Sequence, residues 1–488
     1  MKKTTSLTSA ALFVLLAMFT SVGAWADDSG SCGTDVTYTF EEITKTLTIS
    51  GTGDMDDFDD ENEYPWSSYM DDIETLVVED GVTSIGEYAF YDSNHLETIV
   101  GCQGVTSIGQ GAFFGAAWET NLPDGMHYVG HVAFRYKGNM PENTSITLKN
   151  GTTQLYDHCF YNCGNLTSIT IPSSVTYIGA DAFYGCTSIT DVYCLADPEK
   201  LTWKEDGCDD FKNDGSTKCH VIDKDFFEAG WKTGDKGTDV NVQFVEDLAV
   251  FEDAVDNTDA IEALNGQTKS VAISDRTLRA GHWNTICLPF NLDADKMKES
   301  FGEGAVVKEF SSYSVEGNNV TIAFKSVDQM QHGTPYIVHL PEGSDIITPL
   351  FKDVKIDDAL PSHAQESDAN AYFYGTYNPL VLFALADSWK TLFLKDDKFY
   401  YPTADITVNA FHGIILLIGE VSGLPSEARV IIDWGDDEET TGIEELNLQP
   451  QTSNLKPDVW YDLSGRKLQG KPTERGIYMY NGKKVAVQ

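Results

Sequence analysis

The chain has 488 residues, enough for roughly two to four domains with hydrophobic cores of their own. Its 76 acidic and 33 basic residues give a net charge of -43, which excludes nucleic acids and anionic membranes as partners of the whole protein, because both would be repelled. A hydrophobic content of 41% and an aromatic content of 11% argue against disorder and indicate a folded, acidic protein.

Residues 1–26 have the pattern of a secretory signal peptide. Lys2 and Lys3 form a basic start, an apolar run follows at 10–19, and Ala24-Trp25-Ala26 matches a cleavage site with small residues. The apolar run is too short to cross a bilayer, and no later stretch is apolar for long enough to do so. The sequence therefore predicts a secreted or cell-surface protein without a transmembrane helix.

The stretch 27–72 is predicted as a β cap in front of a series of repeats. It contains GDMDDFDDENE at 53–63, a run dense in the carboxylate ligands that calcium prefers. The run lacks the spacing of an EF-hand loop, and most acidic runs are solvated loops. No cofactor is therefore predicted, and a structural calcium ion stays an alternative.

Five phenylalanines recur at intervals of 23, 21, 26 and 23 residues, namely Phe90, Phe113, Phe134, Phe160 and Phe183. Two further columns keep their distance from each phenylalanine. Five positions earlier stand Ile85, Ile108, Val129, Leu155 and Ile178, and four positions earlier stand Gly86, Gly109, Gly130, Tyr156 and Gly179. The apolar columns are predicted to be buried, and the glycine column to mark a turn. Trp118, His127 and Tyr156 depart from the pattern in the third and fourth units.

A period of about 23 residues is typical of a solenoid, whose units bury their apolar faces by stacking. IETLVV at 73–78, LTSITI at 166–171 and ITDVYC at 189–194 match the strand of a leucine-rich repeat, so 73–246 is predicted as roughly five to six repeats with a C-terminal cap. Leu166, Ile169 and Ile171 should point inward, and the alternate positions outward. These outward positions are the predicted binding residues: Thr75, Thr98, Ser145, Thr147, Ser168, Thr170, Asp191 and Tyr193.

The motifs VTSIGEYAFYDSNHLETI and CFYNCGNLTSITIPSSVTYIGADAFYGCTSI resemble the BspA-like leucine-rich repeat family of bacterial cell-surface proteins. The leading SCGTDVTYTF and PWSSY extend the resemblance, which covers roughly residues 30 to 245. It implies a surface-exposed protein whose repeats bind host or neighbouring-cell molecules without catalysis.

Two histidines and several cysteines of the repeats have spacings that metal sites also use. His127 and His131 lie four residues apart without the Glu of an H-E-x-x-H motif, and the repeat alignment assigns both to loop positions. Cys163 and Cys186 share a column that elsewhere holds serine or alanine, which favours a packing role over zinc binding.

Nine cysteines in an exported protein permit disulfides, although spacing alone does not fix their pairing. Cys208 and Cys219, which flank a loop rich in Gly and Asp, are predicted as the first pair.

The stretch 247–269 is predicted as a linker, and 270–434 as an all-β sandwich. Short β-rich runs recur there between turn residues, at 283–290, 320–324, 335–339 and 413–418. The sequence favours a spacer role for this domain. A carbohydrate-binding domain stays an alternative, with these aromatic residues as candidates for stacking on sugars: Trp283, Tyr313, Tyr372, Tyr374 and Trp389.

A polar linker is predicted at 435–456, followed by a short β-ribbon at 457–488 with turns at Ser464-Gly465 and Asn481-Gly482. The ribbon resembles C-terminal sorting segments of Bacteroidetes surface proteins. The resemblance implies association with the outer envelope of a Gram-negative bacterium.

The sequence contains no G-x-S-x-G motif, no glycine loop for phosphate and no Cys-His pairing with the spacing of a known catalytic family. We therefore expect no enzyme activity. The favoured hypothesis is an adhesin-like protein that binds an extracellular protein or glycan through the solenoid. The alternative is a protein that binds or processes extracellular carbohydrate through the sandwich, and a spacer without a ligand is a third reading.

Overall fold

The computed structural model describes residues 28–59, 64–197, 199–203, 217–223, 242–316, 319–343, 345–361, 363–365, 371–382, 389–400, 402, 405–418, 429–433, 460–461, 476–480 and 483–487. The predicted signal peptide, Cys208 and the predicted linker 435–456 lie outside these residues. The chain is mainly β, and no helix within the described ranges is both long and apolar enough to span a bilayer.

The first half of the solenoid contains seven strands: β1 (Asp28–Ser31), β2 (Val36–Glu41), β3 (Thr46–Gly51), β4 (Thr75–Val78), β5 (Ser84–Ile85), β6 (Thr98–Gly101) and β7 (Ser107–Ile108). β1, β2 and β3 pair antiparallel, and β4 and β6 extend the sheet in parallel, while β5 and β7 form a second ladder. A 3₁₀ helix, Ser67–Asp72, leads into β4. Beside it the buried Trp66 ring stacks on Phe90, which joins the antiparallel strands to the first repeat.

The third repeat interrupts the strand ladder. A helical turn, α1 (Ala117–Thr120), begins where the other repeats have a strand, and β8 (Gly125–Val129) and β9 (Val132–Lys137) follow as an antiparallel hairpin. The Trp118 ring lies 5.2 Å from Phe113 and 5.1 Å from Phe134, centroid to centroid. The departure of Trp118 and His127 from the repeat pattern thus marks the end of the first sheet at β6.

The second half of the solenoid contains eight strands: β10 (Thr144–Thr147), β11 (Gln154–Leu155), β12 (Leu166–Ile171), β13 (Tyr177–Ile178), β14 (Asp191–Cys194), β15 (Thr202–Trp203), β16 (Thr217–His220) and β17 (Val242–Val245). The main sheet has the parallel order β10-β12-β14-β16-β17, and β15-β13-β11-β9 form the second ladder. Leu166, Ile169 and Ile171 are buried, as predicted. The repeat region makes about seven turns, slightly more than the five to six repeats predicted.

Close stacking of the coils explains the glycine column. A Cβ atom on Gly86 would lie 1.9 Å from the carbonyl oxygen of Asp56, and one on Gly179 would lie 2.4 Å from Asp157 Oδ1. Neither glycine has a positive φ. The predicted turn does begin at Gly86, whose carbonyl accepts a hydrogen bond from Ala89 N, but the position requires glycine because the neighbouring coil lies so close.

Left-handed residues flank the core phenylalanines instead, two positions before and two positions after. They are Tyr88 and Asp92, Gly111 and Gly115, His158 and Asn162, and Asp181 and Gly185, with φ between 50° and 78°. Each of these four coils therefore turns sharply on both sides of its buried ring, whereas Phe134 of the third repeat lies within β9.

A second domain, here called the sandwich domain, contains three groups of elements. The first group is β18 (Leu248–Glu252), α2 (Thr258–Ala263), β19 (Thr268–Ser274), β20 (Thr277–Leu278), β21 (Trp283–Cys287) and α3 (Ala294–Phe301). The second is β22 (Val306–Glu316), β23 (Asn319–Ser326), β24 (Pro335–His339), β25 (Ile346–Ile347), β26 (Leu350–Lys355) and β27 (His363–Gln365). The third is β28 (Ala371–Gly375), β29 (Leu380–Leu382), β30 (Trp389–Lys395), β31 (Lys398–Tyr400), β32 (Ile406–Val408), β33 (Gly413–Ile418) and β34 (Arg429–Asp433).

Two five-stranded sheets, β21-β24-β22-β23-β34 and β27-β28-β33-β30-β31, form the sandwich. Phe310 and Phe324 of one sheet share a buried cluster with Phe373, Leu392 and Ile415 of the other. Two layers that bury their facing side chains are a β-sandwich, which confirms the predicted fold of this region. The amphipathic α3 adds a short helix at the side, where Met297 and Phe301 are buried.

The stretch predicted as a linker, 247–269, contains strand and helix instead. β18 pairs in parallel with β19, and β19 pairs with β26. Phe251 of β18 is buried in the same cluster as Val271 and Phe351. The apolar run Leu248–Phe251 thus has a sheet to join, which the acidic residues around it obscure in the sequence.

The C-terminal segment is a three-stranded antiparallel sheet of β35 (Trp460–Tyr461), β36 (Gly476–Tyr480) and β37 (Lys483–Val487). β36 and β37 pair antiparallel, in agreement with the predicted β-ribbon. The turns predicted at Ser464-Gly465 and Asn481-Gly482 lie outside the described residues.

Candidate binding surface

The outward side chains of the first sheet form rows, because parallel strands keep their register from coil to coil. The first row consists of Thr46, Thr75 and Thr98, and the second consists of Thr48, Val77 and Val100. These two rows are here called the N-terminal face. Thr98 is exposed and the other five are half-buried. The cluster of buried residues beneath this face contains no described residue of the sandwich domain.

The second sheet has corresponding rows, here called the C-terminal face: Ser145, Ser168, Asp191 and Lys218, then Thr147, Thr170, Tyr193 and His220. Ser145 and Thr147 are exposed, Ser168 and Asp191 are half-buried, and the hydroxyls of Ser145 and Ser168 are 2.6 Å apart. Thr170 and Tyr193 are only 5% and 4% exposed. The prediction that these two side chains are exposed is therefore wrong.

The sandwich domain covers this part of the C-terminal face. The ring of Tyr193 shares a buried cluster with Leu195, and with Leu248 and Ala272 of the sandwich domain. Lys352 Nζ of β26 lies 5.6 Å from the centroid of the same ring. Period-two alternation predicts which side of a strand a residue takes, but it carries no information on a second domain that packs there.

His220 lies at this contact, between two carboxylates. Its Nδ1 is 2.8 Å from Asp247 Oδ1 and its Nε2 is 3.1 Å from Asp191 Oδ1, while its ring stacks on Tyr193 at 4.4 Å. Burial raises the pKa of Asp191, but hydrogen bonds from Thr190 and His220 outweigh it, so this pKa lies below its ordinary value. His220 is not among the binding residues predicted from the sequence, because its only signal there is its place in the outward row.

A polar cleft of about 450 Å³ opens beside the interruption at the third repeat. Four carboxylates line it, namely Asp54, Asp57, Glu87 and Asp157, and none of the described residues that line it is basic. Burial, Asp157 and Glu87 raise the pKa of Tyr177 in its wall to about 12. Such a lining favours neutral or cationic groups over anions. Sequence reasoning missed the cleft, because its residues come from separate coils and are ordinary repeat positions.

Gln154 bridges the two halves of the solenoid at this cleft. Its side-chain carbonyl accepts a hydrogen bond from Ile108 N at 2.8 Å, and its amide donates to Ile108 O at 3.0 Å. The next residue but one, Tyr156, replaces the column glycine and donates its hydroxyl to Gly109 O at 3.2 Å. Side chains thus replace the missing strand hydrogen bonds between the second and fourth repeats.

The two histidines with metal-like spacing bond to the backbone. His127 Nε2 is 2.7 Å from Pro123 O, and His131 Nδ1 is 2.9 Å from Gly151 O. Within the described part of the chain, no group of three or more His, Cys, Asp or Glu side chains is placed to hold a metal ion. The acidic run is described only to residue 59, and there Asp54 accepts a hydrogen bond from Thr83.

Eight cysteines within the described ranges are buried: Cys32, Cys102, Cys159, Cys163, Cys186, Cys194, Cys219 and Cys287. Cys163 and Cys186 are buried in the core of the second half, as the small-residue column predicts. Cys219 is a free thiol, so the structure does not form the predicted bond to Cys208, which itself lies outside the described residues.

The aromatic residues proposed for sugar stacking lie in different surroundings. Trp283 and Tyr313 pack against the core between the two sheets, and Lys308 Nζ is 5.6 Å from the Trp283 ring. Tyr372 and Tyr374 lie side by side on β28, with ring centroids 5.6 Å apart. The side chain of Trp389 lies outside the described part of the structure.

Six copies of the family model described as BspA type leucine rich repeat region match residues 66–190. This stretch is a BspA-type leucine-rich repeat region. The match is shorter than the predicted range of roughly 30 to 245, and it includes the interrupted third repeat. Among curated proteins no match is found.

Two solved structures are similar to part of this chain. A leucine-rich repeat protein from Eubacterium ventriosum has 26% identity and a TM-score of 0.25, over 34% of this chain and 44% of that one. A leucine rich cell surface protein from Faecalibacterium prausnitzii has 14% identity and a TM-score of 0.17, over 40% of this chain and 88% of that one. This chain thus matches less than half the length of the Eubacterium protein.

Proposed function

We propose that this chain is a non-catalytic surface protein that binds an extracellular protein or glycan through its BspA-type solenoid. The observation that carries the proposal is the difference between the two strand faces. The sandwich domain buries Tyr193 on the C-terminal face, whereas the N-terminal face keeps its rows of threonine and valine accessible. We assign primary binding to the N-terminal face, including the predicted residues Thr75 and Thr98, with Ser145, Thr147 and Ser168 as a second accessible group.

The chemistry of the N-terminal face suits many weak contacts. Threonine hydroxyls donate and accept hydrogen bonds, and valine and threonine methyl groups add apolar contact at regular intervals. A row of short, branched side chains also loses little conformational entropy on binding. The acidic protein around the face favours a partner with basic groups and speeds its association.

A surface location completes this proposal. The predicted signal peptide at 1–26 and the sorting-like ribbon at 457–488 are the features that support it, together with the BspA-type repeats. The proposed location is the outer envelope of a Gram-negative bacterium. Immunogold labelling of intact cells should show the protein outside the envelope, whereas label confined to the periplasm would contradict it.

Binding can be tested with residues 27–488 on a glycan array and on a panel of purified extracellular-matrix proteins. For any ligand that wild type binds, Thr98→Arg should weaken binding at least about tenfold, which is about 1.4 kcal/mol. Thr187→Arg is the matched control, because it adds the same charge at an exposed solenoid position away from the face. Equal binding by both variants, or no ligand on either panel, would contradict the proposal.

The same experiment distinguishes binding through the solenoid from the alternative, carbohydrate binding through the sandwich domain. Tyr372→Ala and Tyr374→Ala remove the aromatic pair on β28 of the sandwich domain. Glycan binding that survives Thr98→Arg but is lost in these variants would place the site in the sandwich domain and overturn the solenoid proposal.

A further inference from the structure

One imidazole connects the solenoid to the sandwich domain. His220 and Asp191 belong to adjacent solenoid strands, β16 and β14, whereas Asp247 directly precedes β18. Asp247 is also held by the sandwich domain, because its carbonyl accepts a hydrogen bond from Ser270 N of β19 at 2.7 Å. His220 thus lies between a carboxylate of the solenoid and the carboxylate of Asp247 at the junction, where the chain passes from β17 of the solenoid to β18 of the sandwich domain.

The geometry fixes the charge that His220 needs. An ionised carboxylate only accepts hydrogen bonds, so each ring nitrogen of His220 must carry a proton to bond its partner at 2.8 Å or 3.1 Å. A neutral imidazole has only one N–H. Loss of a proton therefore breaks one of the two contacts and turns a nitrogen lone pair toward a carboxylate.

Other charged groups near this contact come from each element packed on it. β14 contributes Tyr193, which stacks on the His220 ring, and β16 contributes Lys218, which is in register with Asp191. From the sandwich domain, β26 contributes Lys352 and Asp353, and α3 contributes Glu299, which pairs with Lys352 at 3.3 Å. Lys352 also acts on Asp191 but is partly neutralised by its own partner, whereas His220 bonds both Asp191 and Asp247 directly.

We propose that His220 is a pH-dependent latch between the solenoid and the sandwich domain. As the imidazolium, it holds the sandwich domain over the C-terminal face. Loss of its proton at higher pH weakens the contact and exposes Tyr193. Asp191 stays ionised throughout, since its pKa lies below the ordinary value, burial being outweighed by its hydrogen bonds. The latch is independent of the proposed function, since it concerns the contact itself and needs no ligand.

Hydroxyl-radical footprinting of Tyr193 between about pH 5 and pH 9 measures the latch directly. In wild type, the Tyr193 modification rate, normalised to an unfolded reference, should rise at least fivefold across this range. His220→Gln, which cannot gain a charge, should give a rate that no longer depends on pH. The matched control is His158→Gln, since His158 also faces a carboxylate, Asp181 at 3.5 Å, but lies elsewhere on the solenoid. This control should keep the wild-type profile.

Two results would overturn the latch. One is equal protection of Tyr193 at both ends of the pH range in wild type, and the other is an unchanged pH profile in His220→Gln. If circular dichroism shows that His220→Gln does not fold, Asp247→Asn decides instead. Removal of one carboxylate should move the midpoint of the wild-type profile to lower pH, and an unmoved midpoint would refute the proposal.

Discussion

The two halves of the solenoid use the same repeat but expose different surfaces. In both, a buried phenylalanine ladder supports the sheets, with Phe90 stacked on Phe113 at 5.5 Å and Phe160 on Phe183 at 5.6 Å. The first half carries an antiparallel β cap and an accessible face, whereas the second half has part of its face covered by the sandwich domain. The repeat therefore determines the scaffold, and the neighbouring domain determines which part of it a ligand can reach.

The irregular third repeat separates the two halves of the solenoid. A solenoid is stabilised by interfaces between adjacent coils, so one irregular coil weakens the coupling of the coils on either side. Here α1 and the hairpin of β8 and β9 replace the third strand, and the buried residues form two clusters that meet at this hairpin, where Phe134 belongs to the first cluster and Ala133 to the second. Three sets of substitutions compare the two halves.

The largest effect is expected for Phe113→Ala, which empties a fully buried site in the first half. The free energy of unfolding should fall by about 3–5 kcal/mol. Hydrogen exchange should accelerate in β4 and β6 more than in β12 and β14, and Phe160→Ala should give the reverse order. The adjacent Phe114→Ala is the control, because its ring is 60% exposed. Equal acceleration in both halves would show that they unfold as one unit.

A smaller effect is expected for Gln154→Leu, which removes both hydrogen bonds to Ile108 while keeping a similar volume. The cost should be about 1–3 kcal/mol, because Ile108 loses the partners of a buried N–H and carbonyl. Hydrogen exchange at the Ile108 amide is the specific measurement. Ser107→Ala, one position earlier and exposed, should leave that amide unchanged. If Ile108 keeps its protection in Gln154→Leu, the bridge between the halves lies elsewhere.

The smallest effect is expected at the left-handed position two residues before the core phenylalanine, where the two halves have different residues. Gly111 has φ 68° in the first half, and the corresponding His158 has φ 61° in the second. Gly111→Ala should lower stability by about 1 kcal/mol, and His158→Gly should raise it by less than about 1 kcal/mol, since glycine removes the left-handed strain. Chemical denaturation measures both changes. A loss of stability in His158→Gly would mean that its contact with Asp181 outweighs the strain.

Local patterns in the sequence predict most of the scaffold. The phenylalanine and isoleucine columns, the inward side chains of β12 and the strands of the sandwich follow from periodicity and turn residues. Three features depend on contacts between distant segments and carry no such signal. They are the cover over Tyr193, the addition of β18 to the sheet of the sandwich domain, and the cleft at the interrupted repeat. The glycine column marks a turn, as predicted, but the close approach of the neighbouring coil, which excludes a side chain there, cannot be seen within one repeat.

Burial of the cysteines has a chemical consequence for a protein with so many thiols. Desolvation raises the pKa of Cys163 to about 11 and those of Cys102 and Cys194 to about 12. Far less than about 1% of such thiols is ionised at neutral pH, and only the thiolate attacks disulfides or peroxides readily. Burial in the folded solenoid therefore protects these thiols from oxidants. We expect them to react only before the chain has folded.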